Sequence, residues 1–311
     1  MVWKANGCEM TNDSTHWAES RDAVVDGIGM RWLEVGRGRP VVFVHGIPTS
    51  PALWRYVAPN VSEARCLCWE MVGYGSSMGD AQQRDISVEN QASCLLAWMQ
   101  QLNIDRAILV GHDLGGGVVQ IAADRNPERC CGIVLVNSIC YNSWPILSVR
   151  LLRQLAPIVG RLPNSLFRHL FATFLKRGHD DSERCAESID EHWRHYASCD
   201  AAAAFLHQIN CLDARDTKGV AERIGSSEIP ARVIWGVADP YQKLHYGERL
   251  AMDLGTQLMR IENGRHFVPE DEPGPVIYAI SELIKHVKWS TARQAMSIDN
   301  GATIQHATDG T

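Results

Sequence analysis

Short, uninterrupted apolar runs that alternate with segments of helical periodicity constrain the fold of this chain more than any other feature. The four clearest runs lie at residues 41–45, 107–110, 132–136 and 231–235. A run without polar alternation indicates a strand that is covered on both faces. Strands that alternate with helices predict a mostly parallel sheet flanked by helices, which is an α/β fold.

Weaker patterns predict how the sheet is completed. Apolar residues around two glycines predict a hairpin of strands at 23–28 and 30–35, and short strands are also expected at 66–71 and 257–261. Apolar residues at helical spacing predict helices between the strands. These helices are expected at residues 87–102, 114–125, 246–254 and 275–287.

The alternation breaks after the sixth predicted strand, and this break divides the chain. Residues 22–139 and 226–289 are expected to form the α/β core, and the wholly helical pattern of 140–225 predicts a helical cap inserted after strand 6. Residues 1–21 are polar and mixed, which predicts a flexible N-terminal arm. The polar, aperiodic residues 290–311 predict a disordered tail.

The composition excludes several classes of function. The formal net charge is -6 and no run of Lys or Arg occurs, so nucleic acid is not an expected partner. No apolar stretch is long enough to cross a membrane, and residues 1–17 lack the apolar run of a signal peptide. The ten Cys residues form no C-x-x-C pattern, so we expect free thiols, no metal site and a cytoplasmic location.

An Asp flanked by glycines follows the apolar run at 107–110 and carries the main indication of function. The segment 111–117 reads Gly-His-Asp-Leu-Gly-Gly-Gly, which matches the G-x-nucleophile-x-G elbow with Asp113 at its centre. Gly111 and Gly115 must be small because strand and helix nearly touch at such a turn. An Asp that merely caps a glycine-rich helix is the alternative interpretation of this segment taken alone.

Further strand ends carry the residues that a catalytic triad and an oxyanion hole require. Asp239 follows the seventh predicted strand and His266 follows the eighth, so the chain order is nucleophile, acid, base. The strand at 132–136 ends in Asn and Ser, so the role of the acid falls to Asp239. The expected oxyanion-hole donors are the backbone N–H groups of Ile47 and Leu114.

Together these motifs resemble the α/β-hydrolase superfamily and, within it, the branch with an aspartate nucleophile, which contains epoxide hydrolases and haloalkane dehalogenases. The segments that carry the resemblance are His-Gly-Ile-Pro-Thr-Ser at 45–50, Val-Gly-Tyr-Gly-Ser-Ser at 72–77, Gly-His-Asp-Leu-Gly-Gly at 111–116, Gly-Val-Ala-Asp at 236–239 and Arg-His-Phe-Val-Pro-Glu-Asp at 265–271. The resemblance covers residues 22–138 and 226–288. It implies an α/β-hydrolase fold with a hydrolytic triad that needs no cofactor.

An Asp in the nucleophile position favours a particular kind of substrate. A Ser that attacked an alkyl carbon would leave an ether, which water does not readily cleave, whereas a carboxylate leaves an ester that can be hydrolysed. We therefore expect Asp113 to attack a saturated carbon of an epoxide or an alkyl halide, and His266 to activate a water that cleaves the ester. The expected partners are a small apolar organic substrate and water, and the protein is expected to be a monomer or homodimer.

The choice between epoxide and halide depends on the group that assists the leaving atom. The haloalkane dehalogenases that this chain resembles usually have Trp after the nucleophile, where this chain has Leu114, so Trp144 and Trp193 of the cap are the candidate halide donors. An epoxide oxygen needs an acid, and Tyr141 and Tyr196 are the candidates. We favour an epoxide, with a haloalkane dehalogenase that has a non-standard halide site as the alternative. An esterase-like or C–C hydrolase and a non-catalytic ligand-binding relative are further alternatives.

Overall fold

A computed structural model describes residues 17–81 and 84–289, and eight strands of this part form one sheet. Most of the predicted arm, residues 1–16, and the predicted tail at 290–311 lie outside the described residues. The strands are β1 Glu19–Val25, β2 Ile28–Gly36, β3 Arg39–Val44, β4 Ala64–Trp69, β5 Ala107–His112, β6 Cys130–Val136, β7 Ala231–Gly236 and β8 Leu258–Ile261. The helices are α1 Val88–Gln101, α2 Leu114–Arg125, α3 Leu147–Gln154, α4 Ala156–Val159, α5 Asn164–Gly178, α6 Ser182–Ala197, α7 Ala201–Asn210, α8 Val220–Gly225, α9 Leu244–Asp253, α10 Val268–Asp271 and α11 Pro273–His286.

The strand order is β1-β2-β4-β3-β5-β6-β7-β8, with β3 to β8 parallel and with antiparallel pairing of β1 to β2 and of β2 to β4. This confirms the predicted α/β fold with a mostly parallel sheet. The chain moves outward from β3 to β4 and then returns to place β5 on the other side of β3. Ligands of open α/β sheets bind at such a reversal, at the carboxyl ends of the strands.

The register brings the carboxyl ends of the central strands level with one another. Val44 lies beside Gly111, and His112 lies beside Val136, which in turn lies beside Ile234. All residues of β5 and β6 are buried, as their uninterrupted apolar runs predicted. The loops that leave β3, β5, β6 and β7 therefore emerge at one edge of the sheet.

The edge hairpin starts earlier than the sequence predicted. The arm was expected to end at residue 21, but β1 begins at Glu19 and ends at Val25, before a turn in which Asp26 and Gly27 both have positive φ, 50° and 74°. Two such residues form the turn type that suits the twist of a two-stranded hairpin. Residues 19–22 are exposed on an edge strand, so they show none of the apolar alternation by which a strand is recognised.

Six helices, α3 to α8, lie between β6 and β7, and we call residues 147–225 the helical segment. Its position confirms the predicted helical insertion after the sixth strand. Helix α5 packs against α6 and α7, and α6 also contacts the short helical turn Gly75–Ala81 that follows β4. The segment thus contacts the loops at the carboxyl edge of the sheet.

The described residues bear on two expectations from the sequence, which concern membrane-spanning helices and the state of the cysteines. None of the helices between residues 17 and 289, apart from the two residues left out, is long and apolar enough to cross a membrane. The nine cysteines of this part are free thiols, and seven of them are buried, which agrees with the prediction of unpaired cysteines. They act there as small apolar side chains.

Helix α2 lies almost in contact with the ends of β3 and β5. A Cβ atom added to Gly115 would lie 2.1 Å from the carbonyl oxygen of Val44 and 2.4 Å from that of His45. A Cβ atom added to Gly111 would lie 2.4 Å from the carbonyl oxygen of Gly115. Since all these neighbours are backbone atoms, the approach of helix to strand depends on the absence of side chains at the two glycines.

We expect Gly115→Ala to lower the free energy of unfolding by about 2 to 3 kcal/mol, because the added methyl group must push α2 away from β3. Gly29→Ala is the matched control, since nothing lies within 4 Å of an added Cβ at Gly29. Urea denaturation of both variants measures the difference. Equal stability of the two variants would contradict the importance of this contact.

Candidate active site

Asp113 occupies the sharp turn between β5 and α2. Its backbone has φ 50° and ψ -119°, a conformation that costs free energy for a residue other than glycine. Hydrogen bonds hold this conformation: the carbonyl oxygen of Asp113 accepts from the N–H groups of Gly116 at 3.0 Å and Ile139 at 3.1 Å. The side chain is only 5% exposed, so the turn presents a carboxylate at the carboxyl edge of the sheet.

The Asp113 carboxylate sits against the loop that leaves β3. Its Oδ2 atom accepts a hydrogen bond of 3.1 Å from the N–H of Ile47. A Cβ atom on Gly46 would lie 2.6 Å from that same Oδ2 atom, so the loop has no room for a side chain there. Burial raises the pKa of Asp113, and the charge of His266 together with the N–H groups of Ile47 and Leu114 only partly opposes this.

His266 stands between two carboxylates, in the loop that follows β8. Its Nδ1 atom lies 2.9 Å from Oδ2 of Asp239, and its Nε2 atom lies 4.0 Å from Oδ1 of Asp113. Burial lowers the pKa of His266, but the two carboxylates outweigh it and the pKa is raised above its ordinary value. The backbone N–H of His266 donates to the carbonyl oxygen of Gly178, and this bond joins the loop after β8 to the end of α5.

Asp239 is held by a complete set of donors. Its Oδ1 atom accepts from the backbone N–H groups of Tyr241 at 2.7 Å and Gln242 at 3.0 Å. Its Oδ2 atom accepts from the side-chain amide of Asn137 at 2.6 Å as well as from His266. An ionised carboxylate accepts hydrogen bonds at both oxygens, and these four donors fix its orientation. The structure therefore brings the three predicted triad residues together.

Asn137 is a site residue that the sequence did not reveal. It follows β6, has φ 42°, donates to Asp239 and to the carbonyl oxygen of Arg265 at 3.2 Å, and accepts from the Gly236 N–H at 3.3 Å. From the sequence, the end of β6 was expected only to lack an acid. The available signal was the amide of Asn137 itself, because β6 pairs with β7 and an amide there can donate to the carboxylate that follows β7.

His112, next to Asp113, is a second histidine beside the triad. It is fully buried, its ring centre lies 4.7 Å from that of His266, and its Nε2 atom lies 2.9 Å from the His266 carbonyl oxygen. Burial lowers the pKa of His112 well below its ordinary value, so the ring is neutral. A neutral ring can pack against His266 without opposing a positive charge there.

Two of the predicted leaving-group contacts point elsewhere. The Tyr141 hydroxyl donates to the carboxylate of Asp253 on α9 at 2.5 Å, and the indole N–H of Trp144 donates to the Thr217 hydroxyl at 2.8 Å. Tyr141 therefore joins the chain after β6 to α9, and Trp144 joins it to the helical segment. The polar groups of both side chains have protein partners, so their positions give no support to the prediction that they contact a substrate. The sequence could not show this, because the direction of each side chain depends on tertiary packing.

The other two candidates lie in an aromatic cluster within the helical segment. The Tyr196 hydroxyl donates to the side-chain oxygen of Gln208 at 2.6 Å, and the Gln208 amide donates to the carbonyl oxygen of Gly73 at 3.0 Å. The rings of Tyr196 and Trp193 both pack on Phe171, with centres 5.2 and 5.4 Å from its ring. Phe171 in turn lines a cavity beside the triad.

This cavity has a volume of about 260 Å³ and mostly apolar walls, contributed largely by the helical segment. Pro48 and Tyr241, which also line it, belong to the loops that carry the Ile47 N–H and Asp239. The ring of Tyr241 stands edge-on to His266, with 5.1 Å between the ring centres. The cavity is smaller than typical drug-sized sites of roughly 300–1,000 Å³, so it suits a small apolar ligand.

A buried ion pair joins the helical segment to the chain that follows β3 and to the chain that follows β8. Arg55, beyond the loop after β3, contacts Glu270, four residues after His266, and Glu270 is fully buried. On α6, Ser188 donates to Glu270 at 2.7 Å, and His192 lies 3.4 Å from the same carboxylate. Burial would raise the pKa of Glu270, but Arg55 and His192 hold it well below its usual range. Sequence reasoning included Glu270 only within a motif and assigned it no role.

Within residues 17–81 and 84–289, no group of three or more His, Cys, Asp or Glu side chains has an arrangement that could hold a metal ion.

The family model of the alpha/beta hydrolase fold matches residues 39–273. The chain is 32% identical over 124 residues to the bifunctional epoxide hydrolase 2 of Sus scrofa, a match to 39% of this chain and 22% of that protein. It is 31% identical over 139 residues to a haloalkane dehalogenase of Agrobacterium fabrum, a match to 43% of this chain and 45% of that protein. These matches span less than half of either relative.

A solved structure of an alpha/beta hydrolase fold protein from Burkholderia ambifaria is similar over nearly its whole length. The TM-score is 0.78 at 25% sequence identity, and the match covers 88% of this chain and 99% of that one.

We expect Asp239→Asn to reduce kcat by roughly a thousandfold or more, because an amide cannot stabilise His266 in the required tautomer and charge state. The predicted base His266 must be neutral to accept a proton, so wild-type activity should decline as the pH falls through the raised pKa of His266. This decline should move to lower pH in Asp239→Asn, where the carboxylate no longer raises the pKa of His266. A pH–rate profile of each protein measures both effects. Asp190→Asn is the control, because Asp190 is exposed. Full activity of Asp239→Asn would refute the assignment of Asp239 as the acid that orients His266.

We expect Glu270→Gln to lower the free energy of unfolding by about 3 to 5 kcal/mol at pH 7, because Arg55 is left as a buried charge without its partner. Since folding lowers the pKa of Glu270, its stabilising effect is present above the unfolded-state pKa. The difference from wild type should therefore shrink as the pH falls below 4.5. Glu222→Gln, which breaks an exposed pair with Arg249, should cost less than about 1 kcal/mol.

Proposed function

Because this chain belongs to the family of the alpha/beta hydrolase fold, we propose that it is a hydrolase with Asp113 as nucleophile, His266 as general base and Asp239 as the acid that orients the base. The observation that carries the proposal is the position of Asp113. Its carboxylate stands at the strained turn after β5, accepts a hydrogen bond from Ile47 and lies 4.0 Å from His266.

In the first proposed step, Asp113 attacks a saturated carbon of the substrate. Its Oδ2 atom is engaged by the Ile47 N–H, which leaves Oδ1 to form the new C–O bond. The bond from that carbon to the leaving atom breaks, and the electron pair departs with an epoxide oxygen or a halide. The product of this step is an alkyl ester of Asp113.

In the second proposed step, water cleaves the ester. The distance of 4.0 Å between His266 and Asp113 exceeds a direct hydrogen bond, which suits a base that acts through water. His266 takes a proton as the water attacks the carboxyl carbon, and Asp239 stabilises the resulting imidazolium. The N–H groups of Ile47 and Leu114 stabilise the oxyanion. His266 then returns the proton to the departing alkoxide, and Asp113 is left as a carboxylic acid. Its proton passes to the oxygen base that ring opening leaves when the substrate is an epoxide, or to solvent when the leaving group is a halide, so the cycle as written needs no cofactor.

We propose an epoxide as the preferred substrate class. The indole N–H of Trp144 is bonded to Thr217, and Leu114 follows the nucleophile, so neither position offers an N–H side chain to a halide. Tyr196 is a buried phenol whose pKa is raised by burial, and it packs on a wall of the cavity. The epoxide oxygen would replace the side-chain oxygen of Gln208 as the acceptor of the Tyr196 hydroxyl proton. The similarity to a haloalkane dehalogenase keeps an alkyl halide as the second candidate.

We further propose that the helical segment, together with the residues from 140 onward that lead into it, is a cap over the triad. Most of the residues that line the 260 Å³ cavity belong to this segment. A cap that excludes bulk water would strengthen the electrostatic interactions of the triad and protect the ester from uncontrolled hydrolysis.

We expect His266→Gln to accumulate a stoichiometric covalent adduct, because the variant can form the ester but cannot activate the water that cleaves it. Styrene oxide and 1-bromobutane are the test substrates, and mass spectrometry of the peptide that contains Asp113 is the measurement. An epoxide should add its whole mass, and a bromide should add its mass less hydrogen bromide. The same experiment therefore reports which chemistry occurs.

Two variants control this experiment. Asp113→Ala should show neither turnover nor adduct, and His286→Gln, at an exposed position on α11, should turn over normally without adduct. If the wild type turns over a substrate that leaves no adduct on His266→Gln, then His266 acts before any ester forms and the aspartate-ester mechanism is wrong.

A further inference from the structure

The cavity beside the triad is lined by one charged residue, Arg177, among side chains that are otherwise apolar or neutral. Arg177 belongs to the last turn of α5 and is exposed. By contrast, Pro48 and Tyr241, which line the same cavity next to the loops that carry the Ile47 N–H and Asp239, are buried. A ligand that fills the cavity would therefore contact both these loops and a guanidinium group that is open to solvent.

Helix α5 presents this arginine as a continuation of an apolar stripe. Phe167, Phe171, Phe174 and Arg177 all line the cavity and follow one another at intervals of four, three and three residues. Residues at this spacing lie on one face of a helix. The three aromatic rings thus form the wall, and Arg177 lies one turn beyond the last of them.

No carboxylate of the described residues lies within ion-pair distance of Arg177, although Arg168 on the same helix pairs with Asp190 at 2.8 Å. The positive charge nevertheless acts on the cavity wall. Burial raises the pKa of Tyr241, and the charge of Arg177 opposes that rise. The Tyr241 hydroxyl donates to the carbonyl oxygen of Phe174 at 2.6 Å, and Phe174 precedes Arg177 by one turn of α5.

We propose that the substrate carries a carboxylate at the end opposite its electrophilic carbon, and that Arg177 binds this carboxylate at the mouth of the cavity. The inference rests on the proposed function and names the substrate class of that site. A guanidinium group matches a carboxylate with two parallel hydrogen bonds. Repulsion by Asp113 keeps an anionic group away from the bottom of the cavity, so the same contact directs the electrophilic carbon toward the nucleophile.

The first arm of the test is binding, which needs no reaction. Octanoate and 1-octanol share an eight-carbon chain, and calorimetry with the intact protein measures the dissociation constant of each. We expect Arg177→Gln to weaken octanoate binding about fivefold, as for an exposed ion pair, and to leave 1-octanol unchanged. Lys176→Gln is the matched control, because Lys176 is the neighbouring cation in the same helical turn but lines a different cavity.

The second arm is turnover of 7,8-epoxyoctanoate and of 1,2-epoxyoctane. For the acid, Arg177→Gln should raise KM about fivefold and leave kcat unchanged. For the neutral epoxide, the same variant should change neither constant. Arg177→Lys keeps the positive charge and should restore part of the lost affinity for the acid. An equal effect on acid and neutral compounds, or equal effects of the two glutamine variants, would overturn the carboxylate site. Octanoate selectivity that depends on Arg177 without turnover of either epoxide would support the carboxylate site and contradict the proposed reaction.

Discussion

The contact between α2 and the end of β3 is the constraint on which the rest of the site depends. Gly115 has backbone carbonyl oxygens where a side chain would begin, and the helix can start directly at the strand end only because that side chain is missing. The turn that results forces Asp113 into a strained backbone conformation, and two N–H groups bonded to its carbonyl oxygen hold it there. The stability of the sheet and helix thus maintains a conformation that the residue would not adopt alone.

Burial then determines the electrostatics of the site. A carboxylate and an imidazole that are both removed from water would each tend to become neutral, and the pKa of Asp113 is accordingly raised. The pKa of His266 is raised instead of lowered because two carboxylates face it. Asp239 is held in a fixed orientation toward His266 because its two oxygens accept hydrogen bonds from four donors, including Asn137. The direction of each shift follows from the balance between desolvation and the nearest charge.

The helical segment contributes to the site through two contacts of different kinds. Ser188 and His192 on α6 contact the carboxylate of Glu270, which also forms a buried ion pair with Arg55. These contacts join the helical segment to the chain after β3 and to the chain after β8. Helix α5 supplies the aromatic wall of the cavity and ends at the carbonyl oxygen of Gly178, which accepts the N–H of His266. A displacement of the segment would therefore alter the cavity and the position of the histidine loop together.

The sequence by itself determined the sheet, the helical insertion and the four strand ends that carry Ile47, Asp113, Asp239 and His266. These features depend on local rules: apolar runs indicate buried strands, glycines permit the turn, and parallel strands bring their carboxyl ends to one edge. The sequence could not show the direction of Tyr141, Trp144 or Tyr196, the role of Asn137 and Glu270, or the edge strand at residues 19–22. Only the tertiary structure decided these features. The side chains in and beside the helical insertion take their directions from packing against elements that are distant in the chain. The exposed edge strand lacks the apolar periodicity by which a strand is recognised.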